Sequence, residues 1–170
     1  NNTFNITIDS PEGSSLEETD GIVREIADVL RTHPMVKDYQ SFVGQAGPVD
    51  FNGMLRGAVL RQGSQLAEIR VNLVDKHHRS IRSDGIVLEL RQMLEQVMAA
   101  HPKTSIKLVE DPPGPPVRAT LLAEIYGPDY ESQRALAKDV RKTFEQTYDV
   151  TDIDDSVGED QLQLNINVDK

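Results

Sequence analysis

The chain has 170 residues, of which 38% are hydrophobic and 27% charged, enough for one domain or two small ones. Its net charge of −10 excludes a phosphate-backbone binder, since that affinity rests on Lys and Arg. No apolar run approaches the roughly 20 residues that cross a bilayer, and the absence of Cys excludes disulfides, thiolate metal sites and Cys nucleophiles.

At the start, Phe4, Ile6 and Ile8 alternate with Asn5, Thr7 and Asp9, the period of a strand with one buried face. Pro11-Glu12-Gly13 turns the chain. Ser14 and Glu17 have capping-box spacing, which predicts the start of a helix. Ile22, Val23, Ile26, Val29 and Leu30 form its apolar stripe, and His33-Pro34 ends it. A second strand spans Val36 to Val43.

Residues 44–63 differ in kind. They contain Gly44, Gly47, Gly53, Gly57 and Gly63 with Pro48, and also Phe51, Met54 and Leu55. The segment is too long for a tight hairpin and too apolar for a plain solvent loop, a pattern common in functional loops.

The third strand is predicted over Leu66 to Lys76, with Ala67, Ile69, Val71 and Leu73 on one face. A second helix capped by Ser83 presents Ile86, Val87, Leu90, Met93, Leu94, Val97 and Met98 to a core and closes at His101-Pro102. A fourth strand spans Ser105 to Val109. The order β-α-β-β-α-β is the ferredoxin-like split βαβ, so the fold class is α+β. Residues 3–110 make one such module. Its two helices cover one sheet face and leave the other free.

Residues 111–117 hold four prolines in Asp111-Pro112-Pro113-Gly114-Pro115-Pro116, a stiff extended linker between modules. A second module then begins, over 118–170. Ala119, Leu121, Ala123 and Ile125 alternate as a fifth strand. A third helix spans Tyr130 to Tyr148 with Leu136, Val140 and Phe144 inward. Val150 to Asp155 and Gln161 to Val168 read as further strands. This module is a truncated β-α-β-β that lacks the closing α-β, and the chain has no initiator methionine. Both features suggest a piece of a longer protein.

One pattern occurs twice at an offset of 114 residues. Val23 to Ile26 fall on Ala137 to Val140, Leu30 on Phe144, Val36 on Val150 and Gly44 on Gly158. Function is therefore sought on the surfaces of two related modules. No catalytic constellation stands out: there is no P-loop, nucleophile elbow, dinucleotide fingerprint or zincin motif. His77-His78 points to opposite faces if extended, Asp152, Asp154 and Asp155 lack EF-hand spacing, and no metal or cofactor is expected. His33 and His101 stand at helix ends, where the dipole favours them.

Phe4-Asn5-Ile6-Thr7-Ile8, then Pro11 to Thr19, Val36 to Gly44, the 44–63 loop, Val71-Asn72-Leu73 and Gly114-Pro115-Pro116-Val117 resemble the porter region of resistance-nodulation-division efflux pumps of the acriflavine-resistance type. The resemblance implies the second large periplasmic loop: one whole porter subdomain and the first half of the next. It implies a soluble piece of an inner-membrane protein on the periplasmic face in a Gram-negative cell, anchored only through segments outside this chain. It implies a proton-driven homotrimer working with an adaptor and an outer-membrane channel, and no enzyme activity. Cargo would pass between the subdomains. Asn5, Thr7, Thr120, Leu122 and Glu124 would face it, with Phe51, Met54 and Leu55 in the loop that separates two chambers. Metal-exporting relatives place methionines along this path. Residues 3–9 and 119–125 contain none, which favours amphiphilic organic small molecules. The competing reading is a stand-alone ferredoxin-like module that binds a small ligand or dimerises through its free face.

Overall fold

The computed structural model describes residues 2–49, 53–54, 57–110, 119 and 121–157. The described residues divide into two compact units, one up to Leu122 and one from Ala123. The first unit runs β1 (Thr3–Asp9), α1 (Leu16–Thr32), β2 (Val36–Gln45), β3 (Gln62–Leu73), α2 (Ser83–Met93), α3 (Glu95–Ala100) and β4 (Ser105–Val109). The sheet order is β2-β3-β1-β4, with every neighbouring pair antiparallel. Mixed α+β with this order is the ferredoxin-like arrangement expected for residues 3–110.

Alternation decides which way each strand faces. Phe4, Ile6 and Ile8 of β1 are buried, as are Ala67, Ile69, Val71 and Leu73 of β3 and Ile106 and Leu108 of β4. They meet Ile22, Val23, Ile26 and Leu30 of α1 and Ile86, Val87 and Leu90 of α2 in one core. Fully burying each of these side chains is worth roughly 1.5–3 kcal/mol, so the apolar rows fix the layer order.

Local signals set the helix ends. The capping box uses Ser15 and Glu18, one residue later than Ser14 and Glu17: Glu18 N–H donates to Ser15 Oγ at 3.1 Å and Ser15 N–H to Glu18 Oε2 at 2.7 Å. Ser14 instead donates its hydroxyl to the Pro11 carbonyl at 2.6 Å and closes the turn. The second predicted helix is two helices that break at Leu94, which stays buried. Met93, the last residue of α2, is exposed, against the expected core position: the buried stripe runs through Leu90, Leu94 and Val97. Met98 packs against the core, partly buried.

The two C-terminal histidines reach across to the opposite helix. His33 caps α1 and lies 3.1 Å from Glu89 of α2; His101 caps α3 and lies 2.9 Å from Glu25 of α1. The Met35 N–H donates to His33 Nδ1 at 3.2 Å, so the proton of this buried ring sits on Nε2 and points at Glu89. Thr19, wholly buried in α1, donates to the Ser64 carbonyl at 2.7 Å and ties the helix to the start of β3.

β2 ends later and β3 starts earlier than predicted, so Gly44, Gln45, Gln62 and Gly63 are strand, while β3 stops at Leu73 and Lys76 opens a 3₁₀ turn instead. Gly44 sits at a register shift between Val43 and Gln45 with φ +77°. That bulge conformation suits glycine, and a Cβ there would lie 2.8 Å from Leu16 Cδ1.

The second unit contains α4 (Tyr130–Glu145). Its N-cap Asp129 stands 114 residues after Ser15, the N-cap of α1, and the helix begins 114 residues after Leu16. Asp129 accepts the Ser132 N–H at 2.8 Å. Arg141 donates to Asp155 at 2.6 Å and to Glu145 at 2.9 Å. The strands predicted over 119–125 and 150–155 are not strands in the described residues. A strand exists only as half of a hydrogen-bonded pair, and no paired neighbour lies beside either segment among those residues. For the same reason the α4 stripe does not form a core: Leu136 is 48% exposed and Val140 and Phe144 are half-buried. The strand predicted over 161–168 and the linker at 111–117 lie outside the described residues.

Ile26→Ala should destabilise the first unit by about 2–5 kcal/mol, the range for emptying a fully buried aliphatic site, read from urea unfolding. Ser15→Ala should cost about 1 kcal/mol by the same measurement. Hydrogen bonds from Ser132 hold the Asp129 carboxyl below its ordinary pKa of 3.8. The cap is therefore intact above that pH and weakens as pH falls through the lowered value, so α4 should lose helical NMR shifts on acidification. An Asp129→Ala variant should lack this acid-dependent step.

Candidate functional site: the uncovered sheet face

The helices occupy one face of the sheet, and the strand period places a different set of side chains on the other. The register aligns them in rows. Gln40, Arg70, Asn5 and Val109 form one row; Phe42, Glu68, Thr7 and Lys107 form the next. Asn5 and Thr7 are half-buried at the centre of this face. Glu68 and Lys107 are buried on this face.

Part of the cover comes from the segment that follows β2. It folds back over the sheet: the Gly47 N–H donates to Glu68 Oε2 at 3.3 Å, and Arg70 Nη1 donates to the Pro48 carbonyl at 3.4 Å. Gly47 lies so close to the Phe42 ring that a Cβ would stand 3.0 Å from it. On the other side of the same connection, Arg61 precedes β3 and pairs with Asp9 at the end of β1. Arg61 also reaches the Ile8 carbonyl at 3.5 Å, and Lys107 Nζ lies 3.7 Å from Asp9. A short 3₁₀ turn over Ala58–Leu60, entered through Gly57 at φ +75°, leads into Arg61.

The expected contact residues are distributed as follows. Asn5 and Thr7 stand side by side on the uncovered face. Met54 is exposed in the β2–β3 connection, and Leu122 is 59% exposed. Glu124 accepts the Tyr126 hydroxyl at 2.7 Å, and that bond raises the Tyr126 pKa above its usual 10.0. Phe51, Leu55 and Thr120 lie outside the described residues. The charged residues of the face, Glu68, Arg70, Lys107, Asp9 and Arg61, were not singled out from the sequence. Their signal was the same alternation that marks Ala67, Ile69 and Val71, taken at the intervening positions.

Other clusters are surface features. His77 and His78 sit in a 3₁₀ turn whose preceding residue, Asp75, accepts the His77 N–H at 2.8 Å. That bond holds the Asp75 carboxyl below its ordinary value. Among the described residues no three His, Cys, Asp or Glu side chains converge as metal ligands, and no helix is long and apolar enough to cross a membrane.

The fold has solved counterparts. Two crystal forms of a protein described as a heavy metal efflux pump superimpose with TM-scores of 0.58 (form I) and 0.55 (form II), both at 15% identity. The alignments cover 87% and 85% of this chain but 15% of each of those chains. At that identity the likeness is one of fold. No curated protein matches the sequence. The model of the AcrB/AcrD/AcrF family matches residues 1–170. With the whole sequence matched and the porter-like fold in place, the chain belongs to the AcrB/AcrD/AcrF family, within the resistance-nodulation-division class of efflux transporters.

Proposed function

We propose that this chain is the cargo-receiving porter region of a proton-driven efflux pump, and that the uncovered sheet face of its first unit contacts cargo in transit. The observation that supports the reading is that face: the four-stranded surface opposite α1 and α2, with Asn5 and Thr7 half-buried at its centre. Antiparallel sheets often keep one face open, and here it carries short polar side chains beside a glycine-rich connection, a combination that suits a wall along which molecules pass.

The chemistry of the wall favours amphiphilic organic cargo. Asn5 and Thr7 offer short hydrogen-bonding groups, and Gln40 and Arg70 lie in the row beside Asn5. Such a surface can hold many molecules weakly through scattered apolar contacts and a few polar ones. Residues 3–9 and 119–125 contain no methionine, the soft ligand a monovalent metal path would need. Leu122, Glu124, Thr120, Phe51, Met54 and Leu55 are the further residues assigned to cargo contact. In this reading the proton movement belongs to membrane segments outside the chain. The assembly is a homotrimer on the periplasmic side of the inner membrane, working with an adaptor and an outer-membrane channel.

The test uses the full-length parent protein expressed in cells that lack their own pumps. Asn5→Ala, Thr7→Ala and Leu122→Ala should each cut efflux of amphiphilic dyes by about three- to tenfold, the effect of roughly 1 kcal/mol per lost contact, at unchanged protein level. Tolerance to monovalent copper or silver should not move. Dye efflux at the parent level, with metal tolerance lost, would replace this reading with a metal path.

A further inference from the structure

We propose that Glu68 and Asp9 are positioning residues that fix the two ends of the connection between β2 and β3 onto the open sheet face. The inference rests on the reading of that face as a cargo wall, because it says how the wall's most glycine-rich neighbour is held in place.

A carboxylate on the sheet face opposite α1 and α2 would ordinarily stand in water, yet Glu68 is 6% exposed. Covering a charge is costly unless hydrogen bonds replace its water. At Glu68 a main-chain donor does so: the Gly47 N–H, in the first few residues after β2. Charge-assisted bonds of this kind are the stronger class. Arg70, two residues along the same strand face, holds the next carbonyl, that of Pro48. The absence of a side chain at Gly47 lets the backbone lie flat on the Phe42 ring. Three separate features, a carboxylate, a guanidinium and a glycine against an aromatic, thus pin residues 47–48.

The far end is fastened by different chemistry. Arg61 pairs with Asp9 and reaches the Ile8 carbonyl, both at the end of β1, and Lys107 of β4 approaches Asp9 from the other side. Asp9 and Arg61 are each about a quarter exposed, so this pair is screened only in part. Both anchors are built on neighbouring central strands, β1 and β3. Their spacing is therefore set by the sheet, which is rigid, and not by the connection, which is rich in glycine.

Hydrogen exchange by mass spectrometry on the purified full-length parent protein tests this, with dye efflux measured in parallel. Glu68→Ala should speed exchange over residues 45–49 by about tenfold while β1 and α1 stay protected. Glu68→Gln keeps an acceptor oxygen and should retain most of the protection. Gly47→Ala, which leaves Glu68 in place but crowds Phe42, should reproduce the faster exchange. Arg61→Ala should do the same for residues 57–61 alone. Unchanged exchange at 45–49 in both Glu68→Ala and Gly47→Ala, in a folded protein, overturns the proposal. Faster exchange with undiminished efflux upholds the anchors and overturns the cargo-wall reading instead.

Discussion

The apolar rows of β1, β3 and β4 press against one side of α1 and α2, and that single packing interaction sets everything else in the first unit. Phe4, Ile6 and Ile8 cannot turn toward the helices without turning Asn5 and Thr7 away from them, because side chains in a strand alternate. The buried layer and the open layer are thus two consequences of one register. A slip of one residue in β1 would exchange them, exposing three apolar side chains and burying two polar ones without partners.

The helix layer is locked by paired polar ties as well as by apolar contact. His33 from the end of α1 meets Glu89 on α2, and His101 from the end of α3 meets Glu25 on α1. Each helical segment therefore reaches across from its C-terminal end, and the two ties reflect the internal symmetry of a fold made of two βαβ halves. The histidines, both at helix C-caps, also tie one helix to another. Thr19 adds a third tie to the start of β3, so the sheet and the helix layer are joined where the long connection re-enters the strand. A scaffold held this firmly can support a polar surface on its far side without relying on that surface for stability.

The open face is itself organised. Its charges are not scattered solvated groups: Glu68 and Lys107 are buried beside Thr7 in one cross-strand row. The segment after β2 donates one hydrogen bond to this row, from the Gly47 N–H to Glu68. Opposite charges in neighbouring rows also keep the face near neutral locally, although the chain as a whole carries −10.

Periodicity alone determined the first unit: four strands, the two covering helices and the buried partners of each followed from apolar spacing of two and of three to four residues. The predicted third helix begins at Tyr130 as expected but ends at Glu145, short of Tyr148, and its start keeps the 114-residue offset from α1 because cap and first turn are local in sequence. Local signals failed where a distant partner decides. The capping box lies at Ser15, with the Ser14 hydroxyl donating to the Pro11 carbonyl, and Met93 is exposed beside the buried stripe of Leu90, Leu94 and Val97. Ala119 to Ile125 and Val150 to Asp155 carry strand-like alternation but no neighbour to pair with among the described residues. Only the tertiary structure could bring Glu68 to Gly47 and Asp9 to Arg61, across 21 and 52 residues of chain. Sequence spacing specifies which face a side chain takes; contact across such separations depends on which strands become neighbours, and that is fixed by the packed sheet as a whole.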